Sequence, residues 1–203
     1  GTRVPARSFV PPVIPGARPD TCGDACQFDP AAARDLYRQA EGPKTLTISF
    51  NTERDHQPAM AAVCAQLHAH LGVTCEAKPA GRFNELVSAL EDRQPVGLLR
   101  LGWAQDYPSM ASYLGPLFTS TGSANLPGYR NPEVDTLVRN GILATTEAEA
   151  LAAYQQAESV VAEDLPLIPL WFDRHTLAYS PRLHGVTVTT ADRVDLWRLE
   201  VIE

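Results

Sequence analysis

Between Thr45 and Gly102 the chain alternates between two hydrophobic periods, and this restricts the fold more than any other feature. Thr45-Leu-Thr-Ile-Ser-Phe50 has apolar residues at every second position, the period of a strand. Gln57 to Leu71 places Met60, Val63, Cys64, Leu67 and Leu71 on one side of a helix. Val73–Lys78 reads as a second strand, Asn84 to Asp92 as a helix through Leu86, Val87 and Leu90, and Gly97-Leu-Leu-Arg-Leu-Gly102 as a third strand. Strands separated by helix-length crossovers run parallel, and the crossover helices cover the sheet. The expected class is α/β, with a mainly parallel sheet flanked by helices.

The flanks have a different character. Residues 1–28 are rich in Pro, Gly and Arg and show no period, so Phe9-Val-Pro-Pro-Val-Ile-Pro-Gly16 is expected to be extended or turning. Order is expected from Asp29-Pro30, a cap followed by a proline at the first helical position, and Gly42 stops that helix. After Trp103 comes an aromatic and Gly/Pro/Asn-rich region with a short helix near Ser109–Leu114. Asn131-Pro132 starts another helix, and Thr146 with Glu149 forms a capping box for a long helix to about Glu163. Leu167–Phe172 is extended, and 174–203 holds short β-like pieces (Thr176–Tyr179, Gly185–Thr190, Leu196–Val201). The formal charge of −7 lacks the basic footprint of phosphate binding, so nucleic acid is not an expected partner. No run reaches the roughly 18 apolar residues of a membrane span. The chain begins Gly1-Thr-Arg and reads as a mature piece or an excised fragment.

Four cysteines, Cys22, Cys26, Cys64 and Cys75, contain no CxxC spacing. Cys22 and Cys26 flank a polar turn that a local disulfide can close. Cys64 lies about 10 Å before the end of its helix at ~1.5 Å per residue. The returning strand brings Cys75 roughly 7–10 Å back at ~3.3 Å per residue. The two come level, which admits the pairs 22–26 and 64–75 and, with them, an oxidising compartment. The competing reading is four reduced thiols, with Cys64 and Cys75 as small core residues.

Signatures of nucleophilic, zinc-hydrolase, P-loop and dinucleotide chemistry are not found in the sequence. The histidines stand at 56, 68, 70, 175 and 184; His68 and His70, an i,i+2 pair on a helix, point roughly 200° apart and cannot share a metal. The informative stretch is Leu98-Leu-Arg-Leu-Gly-Trp-Ala-Gln-Asp-Tyr-Pro108. Arg100 sits in an apolar strand, and Trp103, Asp106 and Tyr107 follow at its C-terminal end, where open parallel sheets bind ligands. An indole wall, a carboxylate for an ammonium and a buried guanidinium for a carboxylate suit a zwitterion. Each residue also has a structural reading: an internal salt bridge for Arg100, with Asp106 as one partner; a loop cap for Asp106; core packing for Trp103.

With this segment in place, the chain resembles the family 5 extracellular solute-binding proteins of ABC importers, the oligopeptide-, dipeptide- and nickel-binding proteins. The carrying motifs are Phe28-Asp-Pro…Ala33-Arg…Leu36-Tyr…Ala40-Glu-Gly42, Phe50-Asn-Thr52, His70-Leu-Gly-Val73 and Gly102-Trp-Ala-Gln-Asp-Tyr-Pro108. Asn125…Gly128-Tyr-Arg-Asn-Pro-Glu-Val-Asp135 and Ala157-Glu…Glu163-Asp-Leu-Pro-Leu-Ile-Pro-Leu170 complete the set. The resemblance implies a periplasmic-binding-protein-like lobe (type II, cluster C), the C-terminal one of two lobes that close on a ligand. It divides the chain into an irregular segment 1–28 near the missing lobe, an α/β lobe 29–172, and a hinge and β-like tail 173–203 returning toward the missing lobe. It implies non-catalytic capture of a peptide or other small solute for an ABC permease, with no cofactor and no metal. The location would be extracytoplasmic, with membrane contact only through a lipid anchor outside this sequence. By the same resemblance Asp106 receives a peptide α-ammonium, Trp103 contacts ligand, Arg100 receives a carboxylate, and Asn51 and Tyr107 are neighbours of the site. The sequence departs from some oligopeptide-binding members at Ala80-Gly-Arg-Phe83, where they have Glu-Trp, and near Gly97, where an aspartate is common. The alternative is a regulatory or structural lipoprotein homologue in the cell envelope that keeps the fold.

Overall fold

The computed structural model describes residues 3–92, 97–174, 176–189 and 193–202. His175 and the end of the expected strand at Thr190 lie outside them. In chain order the elements are β1 (Arg3–Pro5), α1 (Pro30–Gln39), β2 (Thr45–Phe50), α2 (Gln57–Leu71), β3 (Thr74–Pro79), α3 (Phe83–Glu91) and β4 (Leu98–Leu99). They continue with α4 (Ala111–Phe118), α5 (Pro132–Leu143), α6 (Glu147–Asp164), β5 (Trp171–Asp173), β6 (Leu183–His184) and β7 (Glu200–Val201). They group into two compact units, Phe28–Gly102 and a second unit built from the residues before Phe28 and after Gly102. This grouping differs from the division 1–28, 29–172 and 173–203, because the N-terminal residues bury apolar side chains in a core they share with α4, α5 and α6.

The unit Phe28–Gly102 is the β-α-β-α-β stretch. Its sheet has the order β3-β2-β4, parallel throughout, with Thr45 opposite Thr74 and Ile48 opposite Leu98. Ile48, Ser49 and Phe50 are buried in succession, so both faces of the central strand are covered at its C-terminal end. Asp29 caps α1 through its side chain, which accepts from Ala31 N–H and Ala32 N–H at 3.0 and 2.9 Å. The third strand is shorter than expected: Leu98–Leu99 replaces 97–102, although Arg100 N–H still donates to Ser49 O at 2.8 Å. Gly97 has φ +69°, and a Cβ there would meet the Thr47 carbonyl oxygen at 2.5 Å, so no larger residue fits this backbone.

The α2–β3 connection is a tight reversal at Gly72 (φ 73°), whose N–H donates to His68 O at 2.9 Å. Cys64 on the buried side of α2 and Cys75 in β3 are disulfide-linked, with Cα atoms 5.0 Å apart. Nothing lies within 4 Å of a Cβ built on Gly72. Gly72→Ala therefore pays only for the left-handed backbone, and a loss of about 1 kcal/mol is expected. It reads out as a lower urea midpoint with an unchanged m-value.

In the second unit β1 pairs antiparallel with β5, Arg3 opposite Asp173, and the Arg3 guanidinium lies over the Trp171 ring at 4.4 Å. The core joins Phe9, Val10 and Ile14 to Met110, Leu114 and Phe118 of the α4 region, Val134 and Val138 of α5, and Ala157 and Val161 of α6. The proline-rich start is thus an ordered strap whose apolar residues belong to a helical core.

Two N–H groups of the strap, Phe9 and Val10, donate to Glu158 Oε1, each at 3.1 Å. Glu158 is fully buried on α6. Arg18 lies 3.7 Å from its other oxygen and donates to Gln155 O (2.6 Å) and Ser159 Oγ (2.9 Å). The Cys22–Cys26 disulfide closes a helical turn (Gly23–Cys26), and Arg7 reaches both Cys26 O and Asp20. The capping box at α6 forms as expected, with Thr146 Oγ1 accepting from Glu149 N–H and Glu149 from Thr146 N–H.

At the C-terminal end β6 pairs antiparallel with β7. The expected strand 196–201 is divided: Leu196–Arg198 forms a helical turn because Asp195 accepts from Trp197 N–H at 3.2 Å, and only Glu200–Val201 is strand. Thr176–Tyr179 forms no strand. Among the described residues no helix is long and apolar enough to cross a membrane.

Candidate functional site

The segment that leaves the sheet unit begins at Trp103 and is held against the first turn of α4. Trp103 Nε1–H donates to Ser112 O at 2.7 Å, and Asp106 N–H donates to Ser112 Oγ at 2.8 Å. Between these two, Tyr113 O–H donates to Gln105 Oε1 at 2.6 Å. Ser112 is 1% exposed and Tyr113 is buried. Burial pushes the Tyr113 phenol up to about 12, so it remains the donor to Gln105. Trp103 is half-buried, with one side against the helical core. Asp106 and Tyr107 are exposed, and within this unit no described side chain takes the Asp106 carboxylate. The loop is thus stapled through its backbone and its inner side chains while its acid points outward.

Arg100 and Asn51 belong to the other unit, at the C-terminal edge of its sheet. Arg100 is half-buried, not buried as its apolar context suggested, because β4 ends before it and Leu98 is 45% exposed. The Arg100 guanidinium lies over Gly102, whose added Cβ would sit 3.4 Å from both terminal nitrogens. Asn51 follows β2 and donates from Nδ2 to Glu53 Oε2 at 2.7 Å. Glu53 Oε1 accepts from Phe83 N–H at 2.8 Å, at the start of α3. The Phe83 N–H foremost, and then Asn51, hold the Glu53 carboxyl below its ordinary value. Glu53 was not legible as the link between Asn51 and α3, since nothing in sequence connects it to Phe83. Beside it is a shallow cavity of about 350 Å³ lined by Phe50, Thr52, Glu53, His56 and Pro79 among others. It lies beyond the C-terminal ends of β2 and β3, the position where parallel sheets receive ligands.

The stretch Asn125–Asp135 is a structural lock. Asn125 Nδ2 donates to Thr119 O and Tyr129 O at 3.0 and 2.7 Å, and its Oδ1 accepts from Tyr129 N–H at 2.9 Å. Tyr129 O–H and Asn131 Nδ2 donate to Asp164 Oδ2 at 2.5 and 2.8 Å, and Asp135 accepts from Ser120 N–H at 2.7 Å. The loop before α5 is thereby tied to the end of α6. These donors, Tyr129 first, hold the Asp164 carboxyl below its ordinary value. The Tyr129 phenol is pushed up, foremost by burial and then by Asp164. The His68 ring meets Val73 O at 3.2 Å and the His70 ring packs edge-on against Phe28 at 5.2 Å, so the two histidines serve different contacts.

One unit thus has a parallel α/β sheet with an open C-terminal edge, the place where such sheets receive ligands, and the other carries an aromatic, acid-bearing loop pinned to α4. The family model for bacterial extracellular solute-binding proteins, family 5 Middle, matches residues 1–125, and the chain belongs to that family. The periplasmic murein peptide-binding protein MppA of Escherichia coli is 26% identical over 94% of this chain and 36% of its own length. The glutathione-binding protein GsiB of Pectobacterium atrosepticum is 30% identical over 79% of this chain and 33% of its own. The chain spans about a third of the length of the curated relatives it matches. Among solved structures, CtaP of Listeria monocytogenes superposes with a TM-score of 0.83 at 22% identity, over 99% of this chain and 42% of that one. OppA of Burkholderia pseudomallei gives 0.78 at 24% identity, over 99% and 41%. These two likenesses are of fold.

Proposed function

We propose that this chain is part of an extracytoplasmic solute-binding protein that captures a peptide and hands it to an ABC permease without performing a reaction. The observation that carries this reading is the Trp103–Tyr107 loop, which offers an exposed carboxylate and a half-buried indole on a backbone pinned to α4. A site fixed before the ligand arrives spends little of its binding energy on ordering. Asp106 receives the peptide ammonium and Trp103 lies against the peptide. Tyr107 follows Asp106 in the same loop; in the other unit Arg100, over Gly102, is the candidate for a carboxylate and Asn51, after β2, a further candidate contact. The peptide- and glutathione-binding relatives support the ligand class. Two disulfides suit an oxidising compartment outside the cytoplasm.

The rest of the protein, including an N-terminal lobe and a lipid anchor, belongs to the same proposal. Trp197, 99% exposed, and its neighbour Leu196 present apolar surface of the kind that another segment covers, which fits a tail returning toward that lobe. The test is calorimetry of peptide pools with the full-length protein. Asp106→Ala is expected to weaken binding of free-ammonium peptides by about tenfold to a hundredfold, the range for one charge-assisted hydrogen bond removed from a closed site. Unchanged affinity would remove Asp106 from the site.

A further inference from the structure

We propose that Ser112 is a positioning residue for solute binding, setting Asp106 and Trp103 together from one point on α4. The inference rests on the reading that Asp106 receives a ligand ammonium and extends it to a residue that touches no ligand. Ser112 is 1% exposed and lies in the first turn of α4, so its side chain and carbonyl are fixed by the helical core. Its Oγ accepts from Asp106 N–H at 2.8 Å and its carbonyl oxygen accepts from Trp103 Nε1–H at 2.7 Å. A backbone donor held at residue 106 fixes where the Asp106 carboxylate begins. The indole bond sets the plane of the ring three residues earlier. Tyr113, the next residue on the same turn, holds Gln105 between them at 2.6 Å. One helical turn thereby sets the spacing between an anionic receptor and an aromatic wall, and a displacement of an ångström in either costs affinity.

The arms of this device separate chemically. Ser112→Ala deletes the Oγ acceptor for Asp106 and leaves the carbonyl that holds Trp103. Ser112→Thr keeps a hydroxyl acceptor. The full-length protein, cleared of co-purifying ligand, is offered a pool of tripeptides to pentapeptides, either free or N-acetylated, and the bound fraction is weighed by mass spectrometry. The wild type is expected to retain the free pool about tenfold better than the acetylated pool. Ser112→Ala is expected to lose that preference while acetylated peptides bind as before, and Ser112→Thr to restore at least part of it. Ser112→Ala combined with Asp106→Ala loses no more than Asp106→Ala alone, the signature of two residues acting as one. In the ligand-free protein the Asp106 amide exchanges about tenfold faster in Ser112→Ala, while core amides of α6 keep their protection.

If Asp106→Ala abolishes the preference and Ser112→Ala keeps it, the Ser112 inference is overturned and the Asp106 reading stands. Equal losses for both pools in Ser112→Ala give Ser112 a role in folding only, which also overturns it. A wild type that binds neither pool, or binds both alike, overturns the Asp106 reading and the inference with it.

Discussion

Glu158→Ala is expected to lower folding stability by about 3–5 kcal/mol, the largest effect of any single substitution outside the hydrophobic core. The carboxylate is 0% exposed and serves Phe9 N–H and Val10 N–H at once. Truncation leaves two buried donors without an acceptor and Arg18 without its nearby anion. The strap cannot find substitute bonds among its own residues, because Pro11 and Pro12 follow directly and proline neither donates nor permits a helix there. Loss should appear as a lower urea midpoint and as early proteolysis between residues 6 and 18. Glu158→Gln keeps an acceptor and should cost less.

The pH dependence separates the two variants further. Burial, the largest influence, raises the Glu158 carboxyl above its ordinary value of 4.5, while Val10 N–H, Phe9 N–H and Arg18 pull it down less strongly. For a raised folded value, the native state binds the proton more tightly than the unfolded chain. Stability from this group is complete below the ordinary value and is lost as pH rises through the raised one. The wild type should therefore lose ground to Glu158→Gln as pH rises through that window. Urea midpoints of both proteins from about pH 4 to about pH 8 check this, and a constant gap would show that burial does not govern the group.

Replacing Cys64 and Cys75 together with alanine is expected to cost about 3 kcal/mol by the entropy of closing the loop between them. The two residues are 11 apart in sequence. The bond joins α2 to β3 across the Gly72 reversal, and β3 is an edge strand, so without it the strand is held from one side only. Cys22 and Cys26 are only 4 apart, and Arg7 already ties that turn to the strap, so the corresponding double substitution should cost less. Urea midpoints of the two double variants give the order directly.

Local physics made the sheet unit legible. Asp29, the helix over 57–71 and the alternation in 45–50 state their structures within windows of a few residues, and the short crossovers leave little choice of strand direction. The strap was not legible as core, since Phe9, Val10 and Ile14 stand among prolines and glycine with no period, and what orders them is a glutamate 149 residues away from Phe9. The signal was present on the other side. Glu158 is the charged position on the α6 face formed by Tyr154, Ala157, Val161 and Ala162, and a charge there requires partners. For the candidate site, strand order and chemistry singled out Arg100, Trp103, Asp106 and Tyr107 as candidates, but the staple was not legible: Ser112 carries no motif, and its two bonds arise from how α4 packs.

The arrangement of the second unit affects how the chain assembles. Residues 28–102 are contiguous, and every sheet pairing in that unit lies within one stretch. The strap, by contrast, must wait for α6. Closing a loop of 149 residues costs about 2 kcal/mol more in chain entropy than closing one of 11. At about 5–20 residues per second of synthesis, the strap emerges many seconds before its partner glutamate exists. Its prolines, which disfavour helix and strand ladders alike, keep this apolar stretch from pairing with the wrong edge during that interval.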